Sequence, residues 1–149
     1  MAYVALIVVI FGAELLMKQL VEQFVRLGEK RELLQNHVFL TKYHNEGAAL
    51  NFMAKRRGLV AVCSVVLSAA CTLLFAVTMT RVGKDFLKLS LSFLLGGAYS
   101  NTYDRLRRKY VVDYLGFSHG KRGKPDVIYN LSDFCIILGA LGVALSAFE

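Results

Sequence analysis

Residues Leu59 to Thr80 form 22 consecutive positions without an Asp, Glu, Lys or Arg, bounded by Arg57 and Arg81. A helix over that run is about 33 Å long, enough to cross a bilayer hydrocarbon core of about 30 Å. A second apolar run, from about Tyr3 to Val25, is free of charge as far as Ala13. A third begins near Phe86 and reaches Arg105, and a fourth extends from about Val127 to Phe148 with Asp133 as its only charge. The 149-residue chain therefore reads as one membrane domain, residues 1–149, all-α, with four transmembrane helices over about 3–25, 59–80, 86–105 and 127–148. An even number of spans puts both termini on the same side. The first run lacks a basic n-region and a small-residue cleavage pattern, so it reads as a span and not as a cleavable signal peptide.

Charged residues make up 19% of the chain, against about a quarter in soluble domains, and they gather between the apolar runs. The net charge of +7 sits in connections and not along one helix face. Anionic lipid headgroups are the expected partner of such a distribution, and nucleic acid is not. Cys63, Cys71 and Cys135 lie within apolar runs without metal-type pair spacing, so they read as small packing residues. In the first long connection, Leu27 to Gly58, the segment His37 to Tyr43 alternates apolar and polar residues. It is expected to form a small β-element on the membrane surface between helices 1 and 2. The second, Leu106 to Asp126, holds Val111-Val112-Asp113-Tyr114 and then a polar stretch whose Lys121-Arg122-Gly123-Lys124 reads as solvated or lipid-touching.

Polar residues inside a bundle this apolar need reasons. Glu14, Lys18 and Glu22 follow one another at four-residue steps, so they share one helix face, with Glu14 and Lys18 as structural polar residues of helix 1. Asp104, Asp113 and Asp133 fall at or near the ends of spans three and four and meet at one membrane face if the connection folds back. Asp133 is about six residues into its span, roughly 9 Å along a helix, which places it near the interface. Asn101, Asn130 and Arg105 add hydrogen-bond donors there. Two carboxylates close together in a low-dielectric site share a proton, one acting as acid and the other as base. That pairing suits an aspartic peptidase, provided Asp113 and Asp133 come within hydrogen-bond reach directly or through one water. The simpler alternative is that Asp104 pairs with Arg105 or a nearby Lys and that Asp133 caps or pins a helix. The sequence has no HExxH or GxSxG motif, and His37, His44 and His119 have no ligand spacing, so neither metal nor cofactor is expected.

These residues also carry a resemblance. Gly96-Gly97-Ala98-Tyr99-Ser100-Asn101-Thr102-Tyr103-Asp104-Arg105 resembles the GGAxGNxxDR motif of signal peptidase II, the lipoprotein signal peptidase family. Val111 to Tyr114 resembles its VVDF motif, Tyr129 to Asp133 its FNxAD motif, and Asn45 to Leu50 its NxGAAF motif. Glu14 to Lys18 matches its DQxTK segment in spacing. The motifs come in family order over nearly the whole chain. The resemblance implies that Asp113 and Asp133 are the catalytic pair and that Asn101 and Arg105 orient the substrate backbone or the site. Asp104 would be a supporting acid holding Arg105 or nearby backbone, and Asn45 and Asn130 would be substrate- or site-ordering amides. The implied reaction is metal-free hydrolysis before a diacylglyceryl-modified cysteine in a lipidated prolipoprotein, by a monomer in the bacterial cytoplasmic membrane.

Some motif positions depart from the family, four of them with chemistry that bears on the site. Glu14 stands for Asp, Ser100 for Gly, Tyr129 for Phe, and Ser132 for Ala, the last with a hydroxyl expected to bond a catalytic carboxylate. None removes an aspartate, which fits a divergent member with a narrower substrate range.

Orientation pulls two ways. The resemblance puts the site and the β-element on the extracytoplasmic face. The long connections, however, hold Arg26, Lys30, Arg31, Lys42, Lys55, Arg56 and Arg57, then Arg105, Arg107, Arg108, Lys109, Lys121, Arg122 and Lys124, against Arg81, Lys84 and Lys88 in the turn. The positive-inside rule alone inverts the protein. The motifs take precedence if these basic residues lie in folded structure against the membrane. Two other functions compete. A small proton-coupled transporter would use Glu14, but its connections would be very short. A non-catalytic lipoprotein-binding relative would have little reason to keep both aspartates.

Overall fold

A computed structural model describes residues 1–34, 37–48, 51–118 and 127–148. These residues form four helices and four strands, in the order α1 (Ala2–Phe24), β1 (Lys30–Leu34), β2 (Val38–Asn45), α2 (Arg57–Met79), α3 (Asp85–Arg107), β3 (Val111–Phe117), β4 (Val127–Tyr129) and α4 (Leu131–Leu145). A 3-10 turn leads into α2 and another, Ser146–Phe148, extends α4. Among the described residues, three helical stretches, Ala2–Phe24, Ala54–Met79 and Leu131–Phe148, are long and apolar enough to cross a membrane.

The remaining helix, α3, is as long as α1 and α2 but far more polar, and it packs against all three others. Its Ser90, Ser92, Ser100, Asn101 and Asp104 are buried, whereas α1, α2 and α4 turn Val8, Leu67, Leu73 and Leu138 outward. The bundle thus places its polar helix at the centre and its apolar surface outside. Ile7, Phe75, Leu91 and Leu95 form the core where α1, α2 and α3 meet.

Gly97 lets α3 and α4 approach closely. A Cβ there would lie 2.4 Å from the Ser132 carbonyl oxygen, so any larger residue pushes α4 away from α3. Gly97→Ala is expected to cost about 1–3 kcal/mol by overpacking, seen as a lower melting temperature in detergent.

The strands form one antiparallel sheet in the order β1-β2-β3-β4. The β-element expected between helices 1 and 2 is present as β1 and β2, but the sheet is larger than expected, because half of it comes from the connection between α3 and α4. β3 lacks period-2 alternation because Val111, Val112, Asp113 and Tyr114 are buried on both faces. Val112 and Tyr114 join Val21 and Val25 of α1 in a second core. The fourth span also starts later than expected: Val127 to Tyr129 pair with β3, and the helix begins at Leu131.

Candidate active site

The sheet's register and the start of α4 bring the acids together. β2 pairs with β3 so that Asn45 lies opposite Val111 and Tyr43 opposite Asp113. Asn45 Nδ2 donates to Asp113 Oδ2 at 3.0 Å, and Asn130 Nδ2 donates to Asp113 Oδ1 at 2.7 Å. Asn130 is the N-cap of α4 and forms a reciprocal capping box with Asp133. Its Oδ1 accepts from the Asp133 N–H at 3.0 Å, and Asp133 Oδ2 accepts from the Asn130 N–H at 3.0 Å. Asp133 Oδ1 accepts from Asn101 Nδ2 at 2.9 Å. Asn130 therefore holds both aspartates, one through its amide nitrogen and the other through its cap.

Asp113 and Asp133 line one cavity of about 240 Å³ with Asn45, Asn101, Arg105 and Tyr129. Arg105 donates to the Asn101 and Gly47 carbonyls, both at 3.3 Å. Its buried Nε has no hydrogen-bond partner among the described residues. Asp113 is 2% exposed. Burial, and then the neighbouring Asp133 charge, push its carboxyl up from 3.8 to about 7, against the opposing pull of the Asn45 and Asn130 donors. That shift has a consequence for stability. Between pH 4 and 7 the unfolded chain has released a proton that the folded chain still holds, so stability falls as pH rises through that window. Asp113→Asn cannot titrate. Its stability should gain on the parent's as pH rises from about 4 to about 7 and hold that gain above, by about 4 kcal/mol at most, read from melting temperatures across that range.

Three expectations need correcting. Asp104 does not line the cavity or hold Arg105, although it does hold nearby backbone as expected. It faces α1, ion-pairing with Lys18 at 3.1 Å and Arg108 at 3.0 Å and accepting the Val112 N–H at 3.2 Å. Asp133 is the third residue of α4, in its first turn, and not a turn and a half into the span. The simpler reading of Asp133 as a helix cap is correct, alongside its place at the cavity. The Ser132 hydroxyl bonds neither aspartate but donates to Glu14 Oε2 at 2.7 Å.

Glu14 and Lys18 do share a face, and both are 0% exposed. Their charged atoms lie 3.7 Å apart, while the Lys18 ammonium donates to Ser100 Oγ at 2.9 Å and Asn101 Oδ1 at 2.8 Å. Lys18 thereby fixes the amide whose nitrogen faces Asp133. Glu22, on the same face, is only partly buried and pairs with Lys42 and His44 of β2. Of the quoted motif residues, Ala49 and Leu50 lie outside the described residues, as do His119 and the Lys121-Arg122-Gly123-Lys124 loop.

The model of the family described as signal peptidase (SPase) II matches residues 6–149. The chain belongs to the signal peptidase II family. It is 34% identical over 140 residues to a lipoprotein signal peptidase of Halothermothrix orenii, covering 94% of this chain and 90% of that one. It is 32% identical over 144 residues to that of Shewanella oneidensis, covering 95% and 83%. Its fold is similar to a bacterial membrane enzyme solved by the in meso method at 2.3 Å resolution, with a TM-score of 0.81 at 17% identity over 99% of this chain and 87% of the other. A second such structure, at 1.9 Å resolution, gives 0.78 at 17% identity, covering 99% and 93%.

One residue of this signal peptidase II site escapes the sequence reading. Tyr114 stands where the VVDF motif has Phe; its hydroxyl donates to Glu14 Oε1 and accepts the Leu131 N–H at 3.2 Å. The signal was a hydroxyl at an apolar motif position, beside an acid buried in a span.

Proposed function

We propose that the protein is a membrane aspartic endopeptidase that removes the signal peptide from diacylglyceryl-cysteine prolipoproteins. The observation that carries this reading is the placement of Asp113 and Asp133 on one small cavity, tethered to the same Asn130. Family membership supports the substrate class. Near neutral pH the pair shares one proton, held by Asp113, whose carboxyl keeps it up to about pH 7. Asp133 then acts as base on a water that attacks the amide carbonyl, and Asp113 gives its proton to the departing cysteine amine. Arg105 Nε, unpartnered and buried, donates to the substrate backbone. Carboxylates and amides supply all the groups this chemistry needs, without a metal or cofactor.

A neighbouring apolar cleft of about 280 Å³ between α2, α3 and α4 shares Asn101, Arg105 and Ile136 with the cavity and suits a lipidated substrate. In this reading residues 1–149 are one domain, and α3 is the fourth transmembrane helix, as long as α1 and α2 and screened by the other three. The protein acts as a monomer in the bacterial cytoplasmic membrane, with its site and sheet toward the extracytoplasmic face. Several basic residues of that face belong to folded elements, Lys30 and Arg31 to β1, Lys42 to β2 and Arg105 and Arg107 to α3. They are placed to meet anionic headgroups and not nucleic acid.

The test is cleavage of a diacylglyceryl-modified precursor by purified protein in detergent with chelator present, beside the same precursor without lipid. Cleavage of the lipidated form before its modified cysteine is expected. Well-folded protein that cuts none of several lipidated precursors would leave a binding-only relative as the better reading.

A further inference from the structure

Glu14 is completely buried, half-way along a transmembrane helix, and outside the cavity. A buried carboxylate must find donors. Here it has Lys18 one turn on and two hydroxyls, Tyr114 from β3 and Ser132 from α4. Those two residues are the immediate chain neighbours of the candidate catalytic pair: Tyr114 follows Asp113, and Ser132 precedes Asp133. Successive residues of a strand point to opposite faces. While Asp113 faces the cavity, Tyr114 therefore faces α1. Its hydroxyl also accepts the N–H of Leu131, the first residue of α4, which would otherwise be one of the unpaired donors of a helix start.

We propose that Glu14 is a positioning residue: through Tyr114 and Ser132 it locks β3 to the start of α4 from behind and so sets the separation of Asp113 and Asp133. This inference rests on the aspartic peptidase reading. Where the family motifs quoted above have Asp, Phe and Ala, this chain has Glu14, Tyr114 and Ser132, and all three departures meet at one carboxylate. The longer acid and its two hydroxyl donors form a single exchanged unit. Ser100, standing for Gly, joins through Lys18. The groups facing Glu14 are Lys18 from α1, Tyr114 from β3, and Ser132 and Cys135 from α4, with Asp104 of α3 beyond Lys18.

The experiment compares Tyr114→Phe, Ser132→Ala, Glu14→Gln and the triple exchange Glu14→Asp/Tyr114→Phe/Ser132→Ala, with Asp113→Asn alongside. Each is assayed for kcat, KM and the pH–rate profile in full-length protein in detergent. A displacement of the pair well under 1 Å is expected to lower kcat about tenfold in each hydroxyl variant with KM nearly unchanged. The pH–rate profile should shift as the coupling of the two acids changes. Tyr114→Phe should add nothing in the Glu14→Gln background, and the triple exchange should regain most of the lost kcat. Folded hydroxyl variants with the parent's kcat and pH profile, even with a lower melting temperature, would overturn the proposal and leave Glu14 a purely structural residue. Ser132→Ala opens little space, so it carries the test if Tyr114→Phe does not fold. Loss of cleavage in Asp113→Asn with unaffected hydroxyl variants rejects the positioning role alone. Cleavage by Asp113→Asn rejects the aspartic reading, and this inference with it.

Discussion

Asp113→Asn and Asp133→Asn are each expected to slow cleavage at least about a thousandfold with KM changed by no more than a few-fold, since proton transfer by a positioned group contributes about 10²–10⁴. Asparagine preserves much of the local structure. At position 133 an amide oxygen can still accept the Asn130 N–H and keep the cap of α4. At position 113 one amide oxygen replaces two carboxylate acceptors, so either the Asn45 or the Asn130 bond is lost. The loss of rate then reports chemistry and not unfolding, which the melting temperature checks independently. The pair acts as a unit, so the double variant should be little slower than either single one. Single-turnover cleavage of a lipidated precursor is the measurement. If either variant keeps more than about a tenth of the parent rate, its aspartate has no part in the proton transfers assigned above.

Lys18→Met should be the most destabilising conservative change in the transmembrane region. Lys18 is completely buried, lies 3.1 Å from Asp104 and 3.7 Å from Glu14, and bonds Ser100 and Asn101. Methionine fills nearly the same space but leaves two buried carboxylates without their shared cation, and breaking a buried ion pair in this way costs about 3–5 kcal/mol. Arg108 still pairs with Asp104 from its outer side, so Glu14 bears most of the imbalance. A second effect follows at the site, because Asn101 loses the donor that fixes the amide facing Asp133. Thermal unfolding in detergent should show a drop large enough to reduce the folded yield. A variant as stable as the parent would show that this ion pair contributes nothing net.

How much of this was legible in the chain differs from one feature to another. The three apolar spans are visible because their constraint is local: a charge-free run either is long enough or is not. The Glu14 and Lys18 pairing is visible for the same reason, through four-residue spacing. Gly96-Gly97 marks a close helix approach, and the structure places the Ser132 carbonyl against Gly97. β3 was not legible, because burial on both faces erases the alternation by which a strand announces itself, and β4, at three residues, is too short to show any. Nor was the partner of Asp104. Its nearest cation in sequence is Arg105, but a helix turns successive residues about 100° apart, and Asp104 faces α1 while Arg105 faces the cavity. Ser132 misled for a related reason. It is adjacent to Asp133 in sequence, yet in the first turn of α4 its hydroxyl points to α1.

The burial of α3 bears on how such a protein enters a bilayer. Each Asp, Lys or Arg at the centre of an isolated span costs about 2.5–3.5 kcal/mol to insert. α3 carries Asp85, Lys88, Asp104, Arg105 and Arg107, and it does not meet the apolar standard that the other three stretches meet. In the reading proposed above, it is therefore a poor passenger on its own and partitions into lipid only as part of a hairpin or with α1 already there to supply Lys18. Insertion and tertiary assembly become one event, and the helix that brings Asn101 and Arg105 to the site is the last to commit to the membrane.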